Sequence, residues 1–179
     1  MNSPHPFADS AELIRSRVFR RFYRLIQPLV ERFARIDGVN AVYRELQRPG
    51  ITPREFCEEG LLLLGSEVLW PDDTVLASWR AVKGPLVVMA NHPYGATDSL
   101  ALMLLLERIR PGGWRLLSNR TLSRAPELAP HLIAVEPFEP SAPVNRTGLR
   151  KALRFLAESG IVAAFPAGRV SGWNPEKTL

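Results

Sequence analysis

Residues 85–98 run Pro85-Leu86-Val87-Val88-Met89-Ala90-Asn91-His92-Pro93-Tyr94-Gly95-Ala96-Thr97-Asp98. The first six are continuously apolar, the pattern of a short strand covered on both faces. A polar loop with proline and glycine follows. From Thr97 or Asp98 a helical pattern runs to Ile109 and stops at Pro111-Gly112-Gly113. Strand, polar loop and helix in that order are the opening of a β-α-β unit.

The pattern repeats downstream. Trp114–Leu117 reads as a second strand, with a helix expected near Leu122–Leu128, and His131–Val135 reads as a third strand. Thr147 is placed to cap a helix through about Glu158, and after Gly160 the run Ile161–Phe165 is a fourth strand. Strands separated by helices of about ten residues predict an α/β domain, with a mostly parallel sheet flanked by helices.

Upstream the reading is helical. From Ser10 to Ile36 the apolar residues Ile14, Val18, Phe22, Leu25, Leu29, Phe33 and Ile36 trace one helix face, and Pro28 falls where it would kink or divide the helix. A short helix is expected at Asn40–Gln47. Thr52-Pro53-Arg54-Glu55 then has the form of a capping box with proline in the first turn, opening a helix to about Leu64. Trp70–Asp73 reads as a turn. The expected division is a basic, amphipathic helical segment over 1–80 and the α/β domain over 81–179.

Charge is unevenly placed. Residues 1–54 carry ten arginines against five acids, which is the whole of the chain's +5 excess. That bias points to an anionic surface met by one segment, either a membrane or a nucleic acid. A helix packed on the main domain with a solvated arginine face explains the same pattern equally well. No run approaches the roughly 20 apolar residues that span a bilayer, and the N-terminus lacks the form of a secretory signal. The expected location is the cytoplasm, peripheral to the inner face of the membrane. One cysteine, Cys57, excludes an intramolecular disulfide framework, and the three histidines show no metal-ligand spacing, so no metal is expected.

Two loops carry unusual residues at the carboxyl ends of strands, where ligands bind in sheets of this class. In the first, His92 is suited to take a proton from an attacking alcohol. Asp98, at the start of the next helix, is suited to hold the other ring nitrogen, and the helix dipole favours its charge there. Gly95 gives the loop freedom to bring them together. The bland reading has Asp98 as a helix cap and His92 as a satisfied strand end. The second loop, Phe165-Pro166-Ala167-Gly168-Arg169-Val170-Ser171, offers backbone amides and an arginine fork for an anion; alone, it reads better as an ordinary strand exit with an exposed arginine.

Together these loops resemble the phospholipid/glycerol acyltransferase superfamily, over about residues 82–174. Asn91–Asp98 looks like its histidine–aspartate block, and Phe165–Ser171 like its Phe-Pro-x-Gly block. Ile133–Phe138 and Asn145-Arg146-Thr147 look like the intervening strand and loop. Five residues separate His92 from Asp98 where the commonest pattern has four. The form Asn-His-Pro-x-Gly-x-x-Asp is closer to the hemolysin-like or ornithine-lipid-type branch. Ala167 stands where a glutamate is usual, and Arg169 is displaced by one position. The chain ends soon after this block where relatives continue, so the resemblance implies a domain cut short at its C-terminus.

What the resemblance implies is an O-acyltransferase of phospholipid biosynthesis. It would move a fatty acyl group from acyl-CoA or acyl-carrier protein to the hydroxyl of a lysolipid-type acceptor, with no bound cofactor. His92 and Asp98 would be catalytic. Asn91, Gly95, Pro166, Gly168, Arg169 and Ser171 would contact substrate, and Arg146 would face the phosphate-rich donor. Partners would be the acceptor lipid, the thioester and an anionic membrane surface. The competing reading is a non-catalytic protein binding a membrane surface through the arginine-rich segment; nucleic acid ranks below it, since the aromatics there fall at helical spacing. A serine hydrolase is disfavoured because no Gly-x-Ser-x-Gly elbow occurs.

Overall fold

The computed structural model describes Arg24 and residues 36–119, 122–137, 139 and 141–168. The chain divides into two compact units, Met1–Ile51 and Thr52–Leu179. In the first, helix α1 spans Ile36–Leu46, with Tyr43 and Leu46 buried. The expected helix from Ser10 lies outside the described residues, apart from Arg24 and the Ile36 end.

The second unit contains the sheet. Helix α2, Pro53–Leu63, opens with the expected capping box: Glu55 N–H donates to Thr52 Oγ1 at 3.2 Å, and Thr52 N–H donates to Glu55 Oε2 at 2.8 Å. Helix α3, Asp73–Ala81, follows directly on the expected turn at Trp70–Asp73 and is an element the sequence reading does not contain. Asp72 caps it by accepting the Val75 N–H at 3.0 Å, and only Leu76 is buried. Strand β1 is Leu86–Met89, helix α4 Ala96–Ile109 and strand β2 Trp114–Ser118. Strand β3 is Leu132–Ala134, helix α5 Pro143–Ala157 and strand β4 Ile161–Ala164.

Two sequence expectations need correction here. Residues 122–131 form two short 3-10 turns, Leu122–Arg124 and Ala129–His131, instead of a helix; Pro126 and Pro130 each remove a backbone donor that a continuous helix would use. Helix α5 begins at Pro143 and not at Thr147. Proline is pre-set for the first helical position, so Thr147 falls inside the helix.

Among the described residues the sheet has four strands, all parallel, in the order β1-β4-β2-β3. They form an α/β structure with a parallel sheet flanked by helices. The register separates the two faces. Trp114, Leu116, Ile161 and Ala163 share one face and are at most 1% exposed. They lie under α4, whose Glu107 Oε2 accepts the Trp114 indole N–H at 2.5 Å. Helix α4 is apolar nearly all round because α2 packs on its other side. On the opposite face Ile133 and Val162 pack with Ala152, Phe155 and Leu156 of α5.

Among the described residues β1 is an edge strand, and α5 does not cover it. Leu86 and Val88 are half-buried, whereas Val87 and Met89 are exposed. An all-apolar run therefore sits on a strand covered on one face only. At the opposite end of the sheet, the Arg110 guanidinium donates to the carbonyls of Val82, Gly84 and Ser159. It ties the chain entering β1 to the turn entering β4.

Candidate active site

The carboxyl ends of β1 and β4 lie side by side. Met89 pairs with Ala164, and the Ala90 N–H donates to Ala164 O at 3.2 Å, one rung beyond β1. The loop at 91–95 and the loop at 165–168 therefore leave the sheet as neighbours, although some seventy positions separate them in sequence.

The first loop ends at Gly95, the N-cap of α4, with φ 69° and ψ −116°. A side chain is strained at that φ, so glycine is what lets the chain turn straight from loop into helix. Asp98 is the third residue of the helix, and its Oδ2 accepts the Tyr94 N–H at 2.6 Å, pinning the loop back onto the helix start. The same oxygen lies 3.2 Å from His92 Nδ1, with both side chains 15% exposed. That separation is hydrogen-bond length, but the alignment falls short of a hydrogen bond, and Nδ1 has no other partner. Such contacts are often loose before substrate binds and tighten in the reacting complex.

The second loop fixes the ring from its face. Phe165 stacks on His92 with centroids 4.1 Å apart and the planes 19° from parallel. Phe165-Pro166-Ala167-Gly168 is a tight turn closed by Gly168 N–H to Phe165 O at 2.9 Å. Gly168 has φ +64°, and a Cβ there would lie 2.8 Å from Pro137 Cβ. Its amide is thus used by the turn, and its lack of a side chain lets the turn pack on the segment after β3.

Between the two loops lies an open cleft of about 330 Å³, lined by Met89, Ala90, Asn91, His92, Pro166 and Ala167. Of the expected site residues, His92, Asn91 and Pro166 line this cleft, Asp98 backs His92, and Gly95 and Gly168 shape its two loops. Arg146 is exposed in the first turn of α5. Its neighbour Asn145 fastens that turn to the loop after β3, donating to Glu136 O and Glu139 O at 3.0 Å each. Arg169 and Ser171 lie outside the described residues. In the sequence Phe165 stands only as part of a motif, without a role of its own. Its position immediately after β4 was the available signal, but which strand β4 pairs with is not written locally.

Cys57 is buried in α2, and burial pushes its thiol up to about 12, with the Glu107 and Glu58 charges adding to the effect. It is a protonated core residue at neutral pH and not a nucleophile. Among the described residues no helix is long and apolar enough to cross a membrane, and no three His, Cys, Asp or Glu side chains gather as metal ligands. Compared with known proteins, the chain matches no family model, no curated protein and no solved structure.

Proposed function

We propose that the protein transfers an acyl group from a thioester to a lipid hydroxyl, with His92 as general base. The observation that carries this reading is the placement of His92 in the cleft, with Asp98 at Nδ1 and Phe165 stacked on the ring. Asp98 at Nδ1 favours the tautomer with the proton on that nitrogen and leaves Nε2 as the acceptor.

The step balances without a covalent enzyme intermediate. Nε2 takes the acceptor's hydroxyl proton as its oxygen attacks the thioester carbonyl carbon. A new C–O bond forms, the C–S bond breaks, and the imidazolium returns its proton to the departing thiolate. Asp98 stabilises the imidazolium in between. The resemblance noted in the sequence supports acyl-CoA or acyl-carrier protein as donor and a lysolipid as acceptor. The apolar wall from Met89, Ala90, Pro166 and Ala167 suits a fatty chain better than a charged donor's head.

Purified protein given labelled acyl-CoA or acyl-carrier protein and a panel of lysolipids should yield an acylated lipid. A folded His92→Ala variant transferring acyl groups at the wild-type rate would refute the assignment.

A further inference from the structure

We infer that helix α5, with the uncovered edge of β1, is a docking face for an anionic lipid bilayer. The sequence of α5 carries Arg146, Arg150, Lys151 and Arg154 and no acid between Pro143 and Ala157. All four bases are exposed, and none has an ion pair among the described residues. Arg146, Arg150 and Arg154 recur every four residues and so form one stripe. Beside that stripe stand Leu149 and Leu153, each 58% exposed.

The sheet extends this surface. Val87 is in register with Val162, which packs under α5, so Val87 and Met89 point to the same side of the sheet as α5. They are 55% and 70% exposed, and Met89 also lines the cleft that holds His92. An apolar and basic face therefore runs to the mouth of the candidate active site.

Charge selects the occupant. Nucleic acid would reward the arginines but not exposed leucines. A helix with leucines flanked by long basic side chains is the form that lies in a lipid interface, its arginine stems along the acyl boundary and their heads among phosphates. This deepens the acyl-transfer reading by naming the surface that meets the acceptor's bilayer, and its test requires no turnover.

Full-length protein is mixed with vesicles of phosphatidylcholine alone or with phosphatidylglycerol, and partition is measured by sedimentation. Arg150→Glu with Arg154→Glu should weaken partition onto the anionic vesicles by roughly tenfold or more, given about a fivefold contribution per basic side chain near the surface. In a second variant, Leu153→Cys takes an environment-sensitive fluorophore while the buried Cys57 stays unlabelled. Its emission should shift to the blue on anionic vesicles only. Unchanged partition of the double variant with no emission shift would overturn the inference. So would a loss confined to nucleic-acid binding, or a label already buried in a dimer without vesicles. A wild type that binds vesicles as described yet acylates no acceptor would sink the catalytic reading and leave this one standing.

Discussion

Replacing Asp98 by asparagine separates the two tasks of one oxygen. Asp98 Oδ2 accepts the Tyr94 N–H at 2.6 Å and faces His92 Nδ1 at 3.2 Å. An amide keeps a carbonyl oxygen for Tyr94, so the loop stays pinned. The change there is from a charge-assisted to a neutral hydrogen bond, about 1 kcal/mol. Losing a negative charge in the first turn of α4 adds about 0.5 kcal/mol. Together these lower the melting temperature by roughly 3–6 °C in a chain of this size. The catalytic loss is separate. The oxygen that stays on Tyr94 is also the one 3.2 Å from Nδ1, so the ring keeps its tautomer but loses the negative charge that would stabilise the imidazolium. A partner changed from charged to neutral is worth about 2 kcal/mol, a slowing of roughly thirtyfold. Thermal melts and single-turnover transfer from labelled thioester, run on the same preparation, give both numbers. A folded Asp98→Asn protein within tenfold of the wild-type rate would show that Asp98 is only a helix-start clamp.

Gly168→Ala should destabilise by about 2 kcal/mol, or roughly 4–8 °C in melting temperature, since φ +64° disfavours a side chain and the new Cβ meets Pro137 at 2.8 Å; an unchanged melt would mean the turn re-forms without it. His131 is pushed below its ordinary value of 6.5 first by burial and then by the Arg115 charge, against opposing effects from Glu107 and a backbone hydrogen bond. The folded state thus binds this proton less readily than the unfolded one, so stability is full above pH 6.5 and falls as pH drops toward the lowered folded value. His131→Gln should show a smaller loss of stability across that window in urea unfolding, and parallel curves for the two proteins would contradict it. Cys57, with its thiol raised to about 12 in the core, should resist maleimide at neutral pH until the protein unfolds; labelling at the rate of a free thiol would place it at the surface instead.

What the sequence made legible was local. The capping box at Thr52 and Glu55 uses residues three apart, and β1 and β4 are uninterrupted apolar runs closed by loop residues. Helix α4 announces itself by its length of apolar residues between Gly95 and Pro111. Helix α3 was not legible because Val75, Leu76 and Trp79 give too little periodic signal, with Leu76 alone buried. The exposure of Val87 and Met89 was hidden for a different reason. A run of Leu, Val, Val, Met reads as doubly covered, and only strand order reveals that β1 is an edge. In the candidate site, His92 and Asp98 were readable because loop and helix start adjoin in sequence. The Phe165 ring was not, because its contact depends on a pairing between residues some seventy apart.

The proposed chemistry depends on that pairing. Had the chain wound its strands in sequence order, β2 would lie beside β1, and His92 would face the exit of β2 at Asn119. Strand β4 instead enters between β1 and β2, arriving from α5 on one face of the sheet while α4 leaves β1 toward the other. The helices therefore diverge and leave the carboxyl ends of β1 and β4 open between them, the condition under which sheets of this class form a ligand crevice. The ladder holds this arrangement to the last rung: Ala90 bonds Ala164, and two residues beyond Ala90 the His92 ring meets Phe165. A general base needs a fixed ring with one nitrogen presented to substrate. Here Phe165 holds the ring from the neighbouring strand, and Asp98 Oδ2, at the start of the helix that follows β1, stands 3.2 Å from Nδ1. The histidine is thus held by elements that only the crossed strand order brings together.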